Sequence, residues 1–149
     1  MPSGGAKACM VLFRLGLYQG KTAWLEVAEE SLSSVSELLA RYPAGFGEWL
    51  NLASFIVGRP RQLALIGPLE QLLPFRKVVD RQYQSHLVVA AGNGSGSDIA
   101  LLAERRMVDG KPTAYVCQNF TCRLPVTEPD ELSSELYPDN LSDRAGDSN

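Results

Sequence analysis

The sequence predicts a mixed α/β protein: an N-terminal helical hairpin and a third helix, followed by a small three-stranded parallel sheet in β-α-β-α-β order. Three observations lead there. Apolar residues recur at helical spacing as far as Val57. After Pro60 the period changes, and QLALI (62–66) and HLVVAA (86–91) are short unbroken apolar runs, the pattern of strands covered on both faces. A third β-like run, Thr113 to Cys117, follows the second at a helix-length interval. Strand–helix–strand alternation favours parallel pairing with right-handed crossovers. The expected division is a helical segment over 1–58, an α/β unit over 59–136 and a disordered tail over 137–149.

In chain order, AKACMVLFRLGLY (6–18) places Cys9, Leu12, Phe13, Gly16 and Leu17 at helical spacing. Only Lys7 and Arg14 interrupt the apolar character of its other faces. A helix apolar on most sides is normally enclosed by other helices, an unusual position for the first helix of a chain. Gln19-Gly20-Lys21 reads as a turn and Thr22 as an N-cap. Over 23–41, Trp24, Ala28, Leu32, Val35 and Leu39 form one stripe, and Glu26, Glu29, Glu30, Ser33, Ser34 and Glu37 form the other. That is an outer helix with one dry face. Tyr42-Pro43-Ala44-Gly45 ends it. The third helix, Gly47 to Val57, is expected to bury Trp49, Leu50, Ala53, Ile56 and Val57, with Gly58 as its C′ glycine and Pro60 beyond. Between the first two strands, Pro74 suits the start of a helix reaching Tyr83, with Phe75, Val78, Val79 and Tyr83 on its stripe. A helix over Asp98–Arg106 precedes the third strand. From Pro138 onward, PDNLSDRAGDSN offers almost nothing to bury.

Composition narrows the function classes. The 149 residues suit a single domain, and 45% hydrophobic with 21% charged residues is an ordinary globular balance. A net charge of −3 gives no basic field for nucleic acid. No apolar run approaches the roughly 18–20 residues of a membrane span. The opening MPSGGAKACMVLFRLG lacks a basic n-region and an A-x-A-like cleavage site, so no signal peptide is read. An odd number of cysteines, three, without such a signal points to a reducing cytoplasm and free thiols. The sequon Asn119-Phe120-Thr121 is then idle.

Two motifs invite chemistry. GNGSGSD (92–98) lies between a strand and a helix, where a phosphate cradle sits in nucleotide-binding folds. Its glycines, Gly92, Gly94 and Gly96, are spaced G-x-G-x-G, which matches neither the dinucleotide fingerprint nor a P-loop. A flexible polar loop is the simpler reading. Cys117 and Cys122 enclose four residues, a spacing without the second ligand pair a zinc site needs and without the helix start of a redox C-x-x-C motif. A bridge between them requires a turn at Asn119 and Phe120; the simpler reading is two small buried thiols at a strand end. The single histidine, His86, opens a strand, away from the strand C-termini where open α/β sheets bind ligands. No metal and no cofactor is expected.

A family resemblance rests on three stretches. VDGKPTAYVCQNFTCRLPVTEPDEL (108–132), PSGGAKACMVLFRLGLYQGKTAW (2–24) and RYPAGFGEWLNLASFIVGRPRQLALIG (41–67) resemble, in order, the C-terminal part of thioredoxin-domain-containing proteins related to spermatogenesis-associated protein 20. The resemblance runs over about residues 2–136 and is most specific at 108–127. It implies a longer protein with a thioredoxin-like domain and a helical toroid similar to six-hairpin glycosidases, hence a link to carbohydrate metabolism. On this view the helical segment is the end of an α/α toroid, 59–136 is a cap, and the chain is not catalytic by itself. Its partner is then the upstream toroid and thioredoxin part, or a second copy of itself. Ser3 and Gly4 match the family's PSG loop at the toroid mouth and become candidate ligand contacts, whereas Gly5 stands where the family has asparagine. The alternative is an independent α/β module that binds a phosphorylated ligand through Gly92, Gly94 and Gly96.

Overall fold

A computed structural model describes residues 4–138. Its helical portion comprises α1 (Gly4–Gln19), α2 (Thr22–Ser34), α3 (Ser36–Arg41) and α4 (Gly47–Val57). The single helix expected over 23–41 is broken at Val35 (φ −106°, ψ 3°). The serines account for the break. Ser31, Ser34 and Ser36 donate their hydroxyls to the carbonyls of Val27, Ser31 and Ser33, a local bond that competes with the helical ladder and bends it. Thr22 is the first helical residue rather than the N-cap; Lys21 holds that place without a side-chain cap.

The dry face of α4 also differs from the expected one. Trp49 is buried as expected, but Leu52 and Phe55 join it while Leu50 and Val57 are exposed. Phe55 decides the rotation. Its ring meets Phe13 edge-on and stacks on His86, each at 6.0 Å between centroids. Gly58 has an ordinary right-handed φ of −68°, and the left-handed residue is Arg59 (φ 50°). Glycine stands at 58 because a Cβ there would collide with the His86 ring.

The sheet is four-stranded and mixed, in the order β2-β1-β3-β4. β1 (Arg61–Ile66) runs parallel to β2 (Leu87–Gly92) but antiparallel to β3 (Thr113–Gln118), and β4 is the pair Thr121–Cys122. This corrects the expected three-stranded parallel sheet. The cause lies in α6, which spans only Ala100–Ala103 instead of Asp98–Arg106. Four helical residues rise about 6 Å, whereas a six-residue strand is about 20 Å long. The helical part of the connection is thus too short to run back along the sheet, and the chain does not return to the sheet's start. It turns at Asp109 and Gly110, both with positive φ, and enters β3 in the reverse direction.

Both faces of the sheet are covered. Leu63, Leu65, Leu87, Ala114 and Val116 pack against α5 (Leu73–Val79) and α7 (Pro129–Leu136). On the other face Val88 packs with Ala6, Phe13, Leu17, Leu52 and Phe55, while Ala64, Ile66 and Ala90 pack with Leu101 and Leu102 of α6. The helical segment and the sheet thus share a core. α5 ends at Val79, short of the expected Tyr83, which is exposed. α7 was not expected, although Pro129 at its start, Asp130 and Glu131 in its first turn and buried Leu132 and Leu136 are its signals. Tyr137, assigned to the tail, is buried and donates its hydroxyl to Val78 O at 3.1 Å. The tail from 139 lies outside the described residues.

The hairpin's outward side keeps exposed apolar residues among its charged ones, Lys7, Arg14, Glu26 and Glu30. Val11 (56% exposed) and Leu15 (45%) lie on α1, about a third to a half of a turn round from buried Phe13 and Leu17, and Trp24 (37%) and Val27 (50%) lie on α2. Among the described residues no helix is long and apolar enough to cross a membrane.

Candidate functional site

β3 and β4 are joined by Asn119 and Phe120, both left-handed (φ 50° and 60°). A two-residue loop with both φ positive has the twist that matches a hairpin. Asparagine tolerates this conformation; phenylalanine rarely adopts it. The loop sets Cys117 directly opposite Cys122. The structure joins them in a disulfide, with Cys117 buried and Cys122 exposed, where the sequence suggests two buried thiols.

Arg105 lies against this pair. Its Nη2 donates to Cys117 Sγ at 3.3 Å and to Cys122 Sγ at 2.9 Å, and its Nη1 donates to Leu101 O. The guanidinium sits over the Tyr115 ring, 5.6 Å from the centroid. Tyr115 is itself fixed by a hydroxyl bond to Arg106 O at 2.7 Å. Burial pushes the Arg105 pKa below its ordinary value, against the opposing pull of Tyr115 and Glu104. Among the described residues no carboxylate oxygen lies within ion-pair distance of it.

The glycine-rich loop supports Arg105 from behind. Gly94 has φ +83°, and a Cβ there would collide with the Arg105 carbonyl oxygen. Gly92 ends β2 and accepts from Gly67 N at 3.0 Å; Gly96 has φ +77° with open space beside it. The loop's N–H groups bond within the loop: Ser95 N to Asn93 O, Ser97 N to Gly94 O, and Ile99 N to Ser97 Oγ. The structure therefore brings Gly94 to the cysteine pair through Arg105 and leaves Gly92 and Gly96 apart from it. Gly4 opens α1 in open space, and Ser3 lies outside the described residues.

A cleft of about 210 Å³ shares Arg105 and Phe120 with the disulfide hairpin; Leu17, Gln62 and Glu104 also line it, and neither cysteine does. Gln62 lies opposite Cys117 on the neighbouring strand and is 1% exposed. Its Nε2 donates to Leu17 O at 3.0 Å, and its Oε1 has no hydrogen-bond partner among the described residues. An unpaired buried acceptor is costly to keep. Gln62 has a sequence signal, a polar residue in an apolar strand run. Arg105 has none, since its contacts at positions 117 and 122 arise only on folding. His86 is structural: its Nε2 donates to Ser54 O at 2.9 Å, and Nδ1 shares a hydrogen bond with Ser85 Oγ at 2.8 Å. Among the described residues no group of three or more His, Cys, Asp or Glu side chains is placed to hold a metal.

Comparison with known proteins gives distant homology over most of the chain. It is 26% identical over 144 residues to spermatogenesis-associated protein 20 of Homo sapiens, a match taking in 92% of this chain and 18% of that protein. The Mus musculus protein of the same name is 24% identical over 143 residues, covering 91% and 18% respectively. The chain thus spans less than a fifth of the length of these curated relatives. No family model and no solved structure matches it.

Proposed function

We propose that this polypeptide is a non-catalytic segment of a larger assembly, completing a helical ring and capping it with its α/β portion. The outward face of the hairpin carries this reading. Val11 and Leu15 on α1 and Trp24 and Val27 on α2 expose apolar surface that a helix would bury in a ring. The occupant is the preceding helices of a protein like spermatogenesis-associated protein 20, whose length leaves more than four-fifths of the chain for them. On the resemblance, those parts include a thioredoxin-like domain and a glycosidase-like toroid, and the whole acts in carbohydrate metabolism.

The test is association. The polypeptide is mixed with a separately expressed upstream portion of such a protein, and complex formation is read by light scattering after size exclusion. Binding to the wild type is expected, with loss of about tenfold or more in affinity when Val11 and Val27 are both changed to Lys, since burying the exposed half of each valine contributes about 1.5 kcal/mol or more together. Lysine at exposed positions leaves the fold intact, which circular dichroism checks. A wild type that stays monomeric at high concentration and ignores the upstream portion overturns the reading.

A further inference from the structure

Neither the ring nor its occupant uses the disulfide, Arg105 or Gln62. We propose that Cys117–Cys122 is a redox-active disulfide, reduced by a small zwitterionic thiol that seats in the adjoining cleft. Three observations converge on it. The first is access: Cys122 is exposed and Cys117 is buried, so an incoming thiolate has one sulfur to attack. The second is Arg105. A disulfide sulfur is a weak acceptor, whereas a thiolate beside a guanidinium forms a charge-assisted hydrogen bond. Nη2 already spans both sulfurs, so the contact strengthens on reduction. The third is the cleft. Arg105 lacks a carboxylate partner and retains N–H donors beyond those used at Leu101 O and the sulfurs. Gln62 Oε1 lacks a donor, and Glu104 lines the same space. A thiol with one carboxylate and one amino or amide N–H group supplies what both lack.

The reaction balances as two exchanges. The thiolate RS⁻ attacks Cys122 Sγ; the S–S bond breaks, a Cys122–S–S–R bond forms, and Cys117 leaves as a thiolate held by Arg105. A second RS⁻ attacks the R sulfur, releasing RSSR and the Cys122 thiolate. The protein gains two electrons and two molecules of thiol are oxidised to one disulfide.

Two measurements decide it. First, the oxidised protein is reduced with cysteine, with cysteamine (no carboxylate) and with 2-mercaptoethanol (no charge), and rates are compared at equal thiolate concentration. Cysteine is expected to be about tenfold faster than either, an advantage lost in Gln62→Leu. Equal rates for the three thiols, or resistance to all of them at millimolar concentration, overturn the proposal. Second, alkylation of Cys122 in the reduced wild type is followed against pH. Arg105 from just beyond α6 and Arg123 beside Cys122 favour the thiolate, whereas Tyr115 and Glu104 oppose it once ionised. Of these four, among the described residues, Arg105 is the one hydrogen-bonded to both sulfurs. The inflection is expected below the usual value of about 8.5, and it returns there in Arg105→Met, whose equilibrium with cysteine also shifts about tenfold toward the disulfide. An inflection near 8.5 in the wild type overturns the proposal without reference to any variant.

Discussion

At the scale of single residues, glycines report where the backbone has no room. Gly58 and Gly94 both face an atom that a Cβ would strike, His86 in one case and the Arg105 carbonyl in the other. Gly96 faces nothing within 4 Å but has positive φ. Gly58→Ala should cost about 1–3 kcal/mol in urea unfolding, as overpacking does. Because its φ suits alanine, His86→Ala in the same chain should recover most of the part due to the collision; additive losses would show that the ring is not the obstacle. In the glycine-rich loop, Gly96→Ala should cost about 1–2 kcal/mol, the ordinary penalty of a left-handed alanine. Gly94→Ala should cost more and should also displace Arg105, slowing reduction of Cys117–Cys122; equal stability and equal reduction rates for the two variants would contradict this. The glycines were legible in the sequence, but their use was not. G-x-G-x-G before a helix suggests an anion site, and only the fold shows that Gly94 instead gives clearance to Arg105.

Among the elements, α7 is held by its end. Arg61 reaches across from β1 and donates to Glu135 O at 3.1 Å and Leu136 O at 3.3 Å, with Gln84 Oε1 at 3.0 Å as a further acceptor. The last carbonyls of a helix are the negative end of its dipole, so a guanidinium there satisfies both charge and valence. Burial and then Arg123 push the Arg61 pKa below its ordinary value, against Tyr137 and Glu135. Arg61→Met should lower stability by about 2–3 kcal/mol and raise amide exchange in α7 before the rest. Uniform exchange would mean α7 is held by Leu132 and Leu136 alone. Element types were largely legible because period and turn residues are local. Three things were not. The direction of β3 depends on how far α6 carries the chain, and an apolar run carries no arrow. The break at Val35 depends on hydroxyls turning back to their own carbonyls. The face of α4 depends on Phe13 and His86, which are distant in sequence. α7 was within reach, since Pro129, Asp130 and Glu131 precede Leu132 and Leu136 at helical spacing.

The whole molecule is organised around a sheet that both segments must cover. Val88 belongs to the helical core, Tyr18 donates its hydroxyl to Val89 O at 3.2 Å, and Gln62 is tied to Leu17 O. A chain cut to residues 59–149 loses the cover over Val88 and should bind a hydrophobic dye and lack a sharp thermal transition. The full chain should unfold in one transition by near-UV and far-UV circular dichroism. A separate, cooperative melt of 59–149 would show that the two segments are independent.

The central strand is finished long before its coverings. Leu63 and Leu65 of β1 lie against β3 and α7, which complete only at Gln118 and Leu136. At the usual elongation speed of about 5–20 residues per second, the stretch from Ile66 to Leu136 takes roughly 4–14 s to emerge. Until β3 emerges the nascent polypeptide carries its central strand with one edge unpaired, and until α7 emerges with one face bare, the interval in which a ribosome-bound chaperone has most to shield.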